Sequence, residues 1–476
     1  MGSLRKSLFA VFLLASCTGS EDTGVGAGRQ AAYPLQAGPF TYGPMLGRGV
    51  TPTSMIVKWG TGSSAGTTVL YRQKGTTTFQ QKDGAAAVDH EAYLTGLTPG
   101  TTYEYKVKSG SSESPVYTFT TCPDPGGPLD VVFYGDSRSD EDMHATIIRL
   151  IREKSPDIVL DSGDVTANGS YSSYLSEFFP VVQEIVASVP LMLAPGNHDV
   201  ASTPSTNYAR IFPVAKNESD PWRSYYAFTC GNSMFVSLDS NNASSSEQRT
   251  FLAEKLAEAK NTPSTEHVFV YFHHSAYSPG RHGDSSTVQS KWVPLLEDPA
   301  HKVRAVFSGH DHIYARLSTG KGVAYVVSGG GGASLYSSDD SSDAETVKAA
   351  SVNNFVAVHI TGKRVEAVAY DDKGTVIDSF QVTAPGGSGD IDAGSPRPDA
   401  GSDNNPVDAG TSGGGTVDSG NGGNGGNGGN GGSGGNAGDG DLEGGCQVSM
   451  ARRATPPLVI LLGALAAFLR RRRARV

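Results

Sequence analysis

Five short segments of this chain carry side chains of the types that bind metal ions. They read Gly-Asp-Ser-Arg, Ser-Gly-Asp, Gly-Asn-His-Asp, Phe-His-His and Gly-His-Asp-His, at 135–138, 162–164, 196–199, 272–274 and 309–312. Carboxylates, amides and imidazoles are ligands for Mn²⁺, Zn²⁺ and iron. Two such cations about 3.5–4 Å apart can activate water and neutralise the charge of a phosphoryl group. The segments together predict a dinuclear metal centre that hydrolyses phosphate esters.

Each segment comes at the end of, or directly after, an apolar run typical of a buried strand. The runs are LDVVFY, DIVLDS, VPLMLAP, HVFVYF and VRAVFS. In α/β sheets, ligands gather beyond the carboxyl ends of the strands. We therefore expect five strands to deliver these polar side chains to one shared pocket.

A bridging carboxylate would fix the distance between the two metals, and we assign that role to Asp164. Asp136 and His312 are then expected to hold one metal. The other metal would be held by Asn197, His273 and His310. His310 and His312 lie two residues apart, so in an extended segment their side chains leave in the same direction.

The region before these motifs has a different pattern. Residues 38–121 alternate short apolar strands with turn clusters, which predicts an all-β sandwich with Trp59 in its core. Its segment Leu94–Tyr103 resembles the tyrosine corner of fibronectin type III domains. It holds one histidine, His90, and no cluster of carboxylates, so we expect no catalysis there.

From 129 to 383 the pattern changes to strands that alternate with helices, as in βαβ units. Helical patterns cover 141–154, 172–187, 246–260 and 287–297, and the later strands follow one another directly. The predicted fold is multidomain: a fibronectin III-like sandwich, then an α/β domain of two packed sheets flanked by helices.

Both ends of the chain carry patterns of export and anchoring. Residues 1–17 resemble a bacterial lipoprotein signal that ends at Cys17, although a plain cleaved signal fits the same pattern. Residues 18–37 predict a flexible tether and 385–445, rich in Gly, Asn and Asp, a disordered stalk. Residues 446–476 resemble the myxobacterial C-terminal sorting tag; a hydrophobic tail with a positive-inside arginine cluster is the alternative. We expect an exported protein that is membrane-anchored at the cell surface, or released, after cleavage by processing peptidases.

Charge and cysteine content exclude some partners and leave one pairing open. Acidic residues (48) outnumber basic ones (38), and no basic stripe lies outside the two ends, so a nucleic-acid surface is not expected. Cys122 and Cys230 remain inside the folded part, where a disulfide and two separate buried thiols are both compatible with the sequence.

The order of the five motifs after a fibronectin-like domain resembles the purple acid phosphatase branch of the metallophosphoesterases. The resemblance covers roughly residues 38–383, and it makes His273, in Val270-Tyr-Phe-His273, the ligand rather than His274. It implies a small phosphate-ester substrate and two metal ions, of Fe, Mn or Zn. It also implies that His282, in Arg281-His282-Gly283, lies near the leaving group.

Two departures from the family pattern concern the metals. Ala167 stands where the family has the tyrosine that binds ferric iron, so a tyrosinate-iron centre is not expected. Arg138 stands where many metallophosphoesterases have a histidine, which leaves three matched ligands at the first metal. His144 could complete this site or could be a histidine on a helix surface.

Other residues near the motifs suit the handling of substrate. Arg138 offers a planar fork for a phosphoryl group, or an ion pair that orients Asp136. His198, followed by Asp199, suits a general acid held by a carboxylate. The expected activity is hydrolysis of phosphate monoesters. A phosphodiesterase or nucleotide hydrolase of the same fold, or a surface adhesin that has lost turnover, are the alternatives.

Overall fold

The computed structural model describes residues 40–201, 207–214, 223–339 and 341–382, all of which lie in one compact unit. The predicted signal (1–17), tether (18–37), stalk (385–445) and C-terminal segment (446–476) lie outside the described residues and stay predictions. Within the described ranges, no helix has both the length and the apolar character needed to cross a membrane.

The first part of the fold is a sheet of six strands. Strand β2 is its centre: it pairs with β1, β3 and β4, while β4 also pairs with β5 and β6, all antiparallel. The bounds are β1 Phe40–Arg48, β2 Met55–Gln73, β3 Gln80–Leu94, β4 Thr102–Ser109, β5 Ser112–Glu113 and β6 Tyr117–Thr120.

The core of this sheet contains the predicted tryptophan. Trp59 is fully buried, stacks on His90 at 4.8 Å and donates its ring N–H to the Ser109 hydroxyl at 2.9 Å. The Tyr103 hydroxyl accepts a hydrogen bond from the backbone N–H of Thr98 at 3.0 Å, the bond expected of a tyrosine corner. The strands form one continuous hydrogen-bonded sheet, so the fibronectin likeness stays a prediction.

The second part contains two sheets. One has the order β19-β18-β17-β7-β8-β9 and the other β10-β11-β12-β13-β15-β14-β16. The bounds are β7 Leu129–Tyr134, β8 Ile158–Asp161, β9 Leu191–Leu193, β10 Tyr226–Cys230, β11 Ser233–Ser237, β12 His267–His274, β13 Val303–Gly309, β14 Tyr314–Ser318, β15 Ala324–Ser328, β16 Glu345–Ala350, β17 Asn354–Thr361, β18 Arg364–Asp371 and β19 Val376–Gln381.

The strands that precede the motifs run parallel within each sheet. Strands β7, β8 and β9 are parallel neighbours, and so are β11, β12, β13 and β15. The two sheets face each other across an aromatic core in which Phe133 and Phe307 stack. Their carboxyl ends therefore meet at one edge of the sandwich.

Helices cover the outer faces of the sheets. The bounds are α1 Glu141–Glu153, α2 Tyr171–Ser173, a π-helical turn Tyr174–Phe178, α3 Phe179–Val186, α4 Asn207–Ile211, α5 Ser246–Asn261, α6 Ser286–Lys291 and α7 Val293–Leu296, with 3₁₀ turns at Ser240–Asn242 and Pro299–His301. The predicted helix 287–297 is divided into α6 and α7, because Pro294 lacks the N–H that a continuous helix needs.

The first sheet is joined to the second part by polar bonds and a disulfide. The Arg48 guanidinium donates to the carbonyl of Asp157 at 3.1 Å, and the buried Lys58 ammonium donates to the carbonyl of Ala209 at 3.1 Å. Cys122 and Cys230, left open by the sequence, form a disulfide with their Cα atoms 5.1 Å apart. The first sheet is thus fixed against the domain that carries the motifs.

Candidate metal centre

The backbone itself turns the first two carboxylates into the pocket. Asp136 follows β7 and Asp164 follows β8, with φ angles of 57° and 59°, and His310 after β13 has φ of 70°. Residues other than glycine rarely adopt this left-handed region, and such strain concentrates at functional sites. The Asp136 carboxylate is held in place by the backbone N–H of His310 at 2.9 Å.

The ligand atoms converge on the Nε2 atom of His273. This atom lies 3.0 Å from Asn197 Oδ1, 3.2 Å from His310 Nδ1 and 3.4 Å from Asp164 Oδ2. It lies 4.0 Å from Asp136 Oδ1, which in turn is 3.5 Å from His312 Nε2. The structure thus brings together all six residues predicted as metal ligands, from five separate strand ends.

Two of the imidazoles point a lone pair at this centre. His273 Nδ1 lies 3.0 Å from the Ser162 carbonyl, and His312 Nδ1 lies 2.6 Å from the Ser334 carbonyl. A carbonyl can only accept, so in each ring Nδ1 carries the proton that is donated. The hydrogen bond from Nδ1 to the carbonyl fixes the tautomer of each ring, and Nε2 is then a potential metal ligand.

The donor set fits a cation better than any protein group that is present. Asp136 Oδ1 is buried and has no hydrogen-bond partner among the residues that the structure describes, although it faces two imidazole nitrogens. One ligand atom each from Asp136, Asp164 and His273 lie within 4.8 Å of one another. Acceptor atoms that converge in a buried site repel each other unless positive charge lies between them. The residues present therefore fit metal ions.

The pKa values of two buried side chains also indicate that the site favours positive charge. Burial would lower the pKa of His273, but the charges of Asp164 and Asp136 raise it to about 9. Burial would also raise the pKa of Asp164, yet its interaction with His273 brings it well below its usual range. The pocket thus favours positive charge, which a proton supplies when metal does not.

A run of four glycines packs against Asp136 and the residue before it, and it was not among the residues predicted to form the site. A side chain at Gly329 would come within 2.8 Å of Asp136 Oδ2, and one at Gly331 within 2.4 Å of the Gly135 carbonyl. The backbone N–H of Gly331 donates to that carbonyl at 2.8 Å. Four consecutive glycines at 329–332 are a sequence pattern that indicates such close packing of backbone against the Asp136 loop.

Asp199 has a different role from the one predicted. Its buried carboxylate accepts from the backbone N–H groups of Asp164, Gly196 and Val165 at 2.7, 2.9 and 3.2 Å. The His198 ring is bonded elsewhere, with Nδ1 2.7 Å from the Ala167 carbonyl. The expectation that Asp199 holds His198 is wrong, because its oxygens are used to fix the two metal-binding loops.

His198 and Arg138 lie on the open side of the centre. His198 Nε2 is 3.9 Å from Asp164 Oδ2, and the side chain is 32% exposed, so it is accessible from the open side. The Arg138 guanidinium lies 3.4 Å from Asp164 Oδ2. The ion pair that the sequence left open therefore involves Asp164 rather than Asp136.

Two further histidines border the site. The ring of His282 lies 4.1 Å from that of His310, and its backbone N–H donates to Asp311 Oδ1 at 2.8 Å. The ring of His274, which we did not predict as functional, lies 4.4 Å from that of His310 and bonds the Ser240 hydroxyl at 2.8 Å. Both rings therefore lie beside the centre, and neither is needed as a metal ligand.

His144 belongs to the protein core and not to the surface of α1. It is buried between Tyr134 and Phe178, and its Nε2 lies 3.3 Å from the Tyr134 hydroxyl. Burial lowers its pKa to about 3. His144 is therefore a neutral histidine of the core, and neither the metal ligand nor the helix-surface histidine that the sequence left open.

A cavity of about 570 Å³ opens beside the centre. Its wall includes His282 and Tyr336, whose ring stacks on His312 at 4.2 Å. The Asp284 carboxylate ties the two loops of this wall together, accepting from Ser278 N–H and Asp343 N–H at 2.8 Å each. The cavity is large enough for a small organic molecule.

Comparisons with known proteins agree with this geometry. Residues 129–314 match the family model described as calcineurin-like phosphoesterase, and residues 46–121 match that of the purple acid phosphatase N-terminal domain. An uncharacterized protein of Mycobacterium tuberculosis H37Rv is 24% identical over 371 residues, covering 64% of this chain and 70% of that protein. Probable purple acid phosphatase 20 of Arabidopsis thaliana is 25% identical over 296 residues, covering 56% and 67%.

One solved structure has the same fold over most of the described chain. It is the purple acid phosphatase PPD1 from yellow lupin seeds, with a TM-score of 0.61 and 20% identity, covering 71% of this chain and 74% of that one. Together with the buried Asp/Asp/His group, these matches support a purple acid phosphatase-like metallophosphoesterase.

Proposed function

We propose that this chain, which resembles purple acid phosphatases, hydrolyses phosphate monoesters at the cell surface with a dinuclear metal centre. One observation carries the proposal. The ligand atoms of six residues, from Asp136 to His312, are linked by distances of 4.0 Å or less. They surround a buried carboxylate oxygen that has no hydrogen-bond partner in the described part of the chain.

The metals would be divided between two groups of ligands. Asp136 and His312 would hold one, Asn197, His273 and His310 the other, and Asp164 would bridge them. Bound metals supply a hydroxide nucleophile near neutral pH and positive charge for the phosphoryl oxygens. The protein holds the bridging carboxylate rigidly, since the His198 backbone N–H donates to Asp164 Oδ1 at 2.8 Å.

The residues around the open side favour a doubly charged monoester over a singly charged diester. Arg138 can contact a phosphoryl oxygen through its planar guanidinium. His198 donates to the Ala167 carbonyl through Nδ1, so its doubly protonated ring presents Nε2–H as the proton donor for the leaving oxygen. His282 lies where the cavity meets the centre, which would put it beside the leaving group of a bound ester.

The metals we expect are Mn²⁺, Zn²⁺ or Fe²⁺ rather than a ferric ion bound to tyrosinate. Ala167 offers only its backbone, and that backbone is bonded to His198. Nitrogen and carboxylate ligands without a phenolate suit divalent ions.

The location is proposed from the sequence of the two ends. The lipoprotein-type signal at 1–17 and the Cys446 segment, with its apolar stretch and arginine cluster, support export and anchoring. The partners are then the membrane, through either anchor, and processing peptidases.

The test is hydrolysis by the purified full chain of p-nitrophenyl phosphate and of bis(p-nitrophenyl) phosphate, with and without EDTA. We expect the monoester to be the better substrate and EDTA to abolish turnover. Asp164→Asn should lower the rate roughly 10³-fold, because several kcal/mol of transition-state stabilisation depend on the bridged metals. The matched control is Asp124→Asn, an exposed carboxylate, which should leave the rate unchanged.

Other outcomes point to the alternatives. A higher rate with the diester would favour a phosphodiesterase. A metal-loaded protein with no rate on either ester would contradict the proposal and favour a display role. An Asp164→Asn variant with a near-normal rate would contradict the bridging role of Asp164.

A further inference from the structure

We propose that Glu177 is a positioning residue for His198, acting through the backbone of Ala167. The inference rests on the proposed function, in which His198 protonates the leaving group. Glu177 lies ten residues from Ala167 along the chain, and neither the sequence motifs nor the family matches assign it a role.

Two hydrogen bonds link the three residues in series. Glu177 Oε2 accepts from the backbone N–H of Ala167 at 2.8 Å, and the Ala167 carbonyl accepts from His198 Nδ1 at 2.7 Å. A carboxylate that orients a histidine is a recurring arrangement, and here the backbone of Ala167 lies between the two, with its N–H and its carbonyl on either side of its Cα. Glu177 thus occupies the place that the sequence predicted for Asp199.

The residues on both sides of Ala167 are held by other bonds, such as that from Gly169 N–H to the Thr166 hydroxyl at 3.0 Å. Asp199 holds the N–H groups of Asp164 and Val165, and Asn207 donates to the Gly169 carbonyl at 3.0 Å. Between these anchors Ala167 is exposed, and its N–H has Glu177 as its partner. Glu177 thus fixes the peptide plane directly before the Ala167 Cα, and the carbonyl that holds His198 lies in the plane directly after it.

The position of Glu177 on its helix is unusual. It lies in the π-helical turn Tyr174–Phe178, between α2 and α3. π-helical turns insert one residue into a helix and often occur at functional sites. Without that extra residue the helix would present a different side chain to Ala167.

A positioning role requires an acceptor oxygen, not a negative charge. Glu177→Gln keeps an oxygen that can accept the Ala167 N–H, whereas Glu177→Leu keeps the size of the side chain but removes the acceptor. We expect the Gln variant to behave like wild type and the Leu variant to lose the orientation of the His198 ring. Because the bond is partly exposed to water, the loss should be smaller than the ~10²–10⁴-fold worth of a general acid.

The experiment compares esters with poor and good leaving groups, since only poor ones need a proton from His198. We expect Glu177→Leu to lower kcat about tenfold for phenyl phosphate and less than about twofold for 2,4-dinitrophenyl phosphate. In a His198→Ala background, Glu177→Leu should have no further effect on either ester. The control is Glu184→Leu, from the same helical segment, whose side chain is 78% exposed and pairs with Arg152.

A second measurement does not depend on turnover. In wild type and Glu177→Gln, NMR should detect a protected His198 Nδ1–H proton, and Glu177→Leu should lose that protection. If wild type shows the protected proton but hydrolyses no ester, the proposed function fails while the positioning role of Glu177 stands.

Three results would overturn the inference. One is equal loss in the Gln and Leu variants, which would mean that charge matters rather than position. Another is a full effect of Glu177→Leu without His198. The third is a wild-type His198 whose Nδ1–H exchanges freely.

Discussion

Replacing Asp199 by asparagine separates its structural role from the catalytic role that the sequence suggests. The carboxylate is fully buried, and its Oδ2 atom accepts from two backbone N–H groups, those of Asp164 and Gly196. Its Oδ1 atom accepts from Val165 N–H and from the Tyr174 hydroxyl, at 3.2 and 3.4 Å. Asparagine has one acceptor oxygen, so its NH₂ group must face at least one of these N–H groups.

The cost follows from that mismatch. A buried backbone N–H left unpaired costs about 1–3 kcal/mol, and the weakening of the other hydrogen bonds to this side chain adds a comparable amount. We expect Asp199→Asn to lower the free energy of unfolding by about 2–5 kcal/mol. That is a large part of the roughly 5–15 kcal/mol typical of a folded domain.

The assay is urea unfolding of the metal-free full chain in EDTA, followed by tryptophan fluorescence. The matched control is Asp140→Asn: Asp140 caps α1 by accepting from Met143 N–H, and asparagine caps helices equally well. The control should unfold at the wild-type urea concentration. An Asp199→Asn protein with wild-type stability and a purely catalytic defect would refute the structural role and restore the pairing with His198.

Three further changes test other parts of the site. Burial lowers the pKa of His144 to about 3, below its unfolded value, so the folded protein is destabilised as the pH falls below ~6.5. The His144→Gln variant has no such group to protonate. Between pH 7.5 and 4.5 it should therefore lose about 2–3 kcal/mol less free energy of unfolding than wild type, measured by urea unfolding. Gly196→Ala should reduce bound metal in elemental analysis, because the new methyl would lie 2.1 Å from Asp164 Oδ1, whereas Gly62→Ala, in open space, should not. Arg138→Gln should lower kcat/KM roughly 10–100-fold for a monoester and much less for a diester, because the monoester carries a second negative charge that Arg138 would contact. Equal loss for both esters would contradict that contact.

The ligand set was accessible to sequence analysis because its signals are local. Asp136, Asp164 and Asn197 each follow directly on an apolar strand, and strand ends in parallel sheets share an edge. A strand direction and a residue type were enough to bring them together. The two sheets and most of the helices follow from the same short-range patterns.

What was missed depends on contacts between distant parts of the chain. Asp199 is adjacent to His198 in sequence, yet its oxygens are taken by amides 34 and 35 residues away. His144 is buried because Tyr134 and Phe178 close over it, which α1 alone does not reveal. Glu177 reaches Ala167 only because a π-helical turn shifts the register of its helix.

The most direct test of the central claim is the metal content of the purified full chain, measured by elemental analysis after exchange into Mn²⁺, Zn²⁺ or Fe²⁺. The convergence of ligands on His273 Nε2 predicts about two metal ions per chain, and fewer in Asp164→Asn. A wild-type protein that retains no metal, or an Asp164→Asn protein that still holds two, would contradict a carboxylate-bridged dinuclear centre.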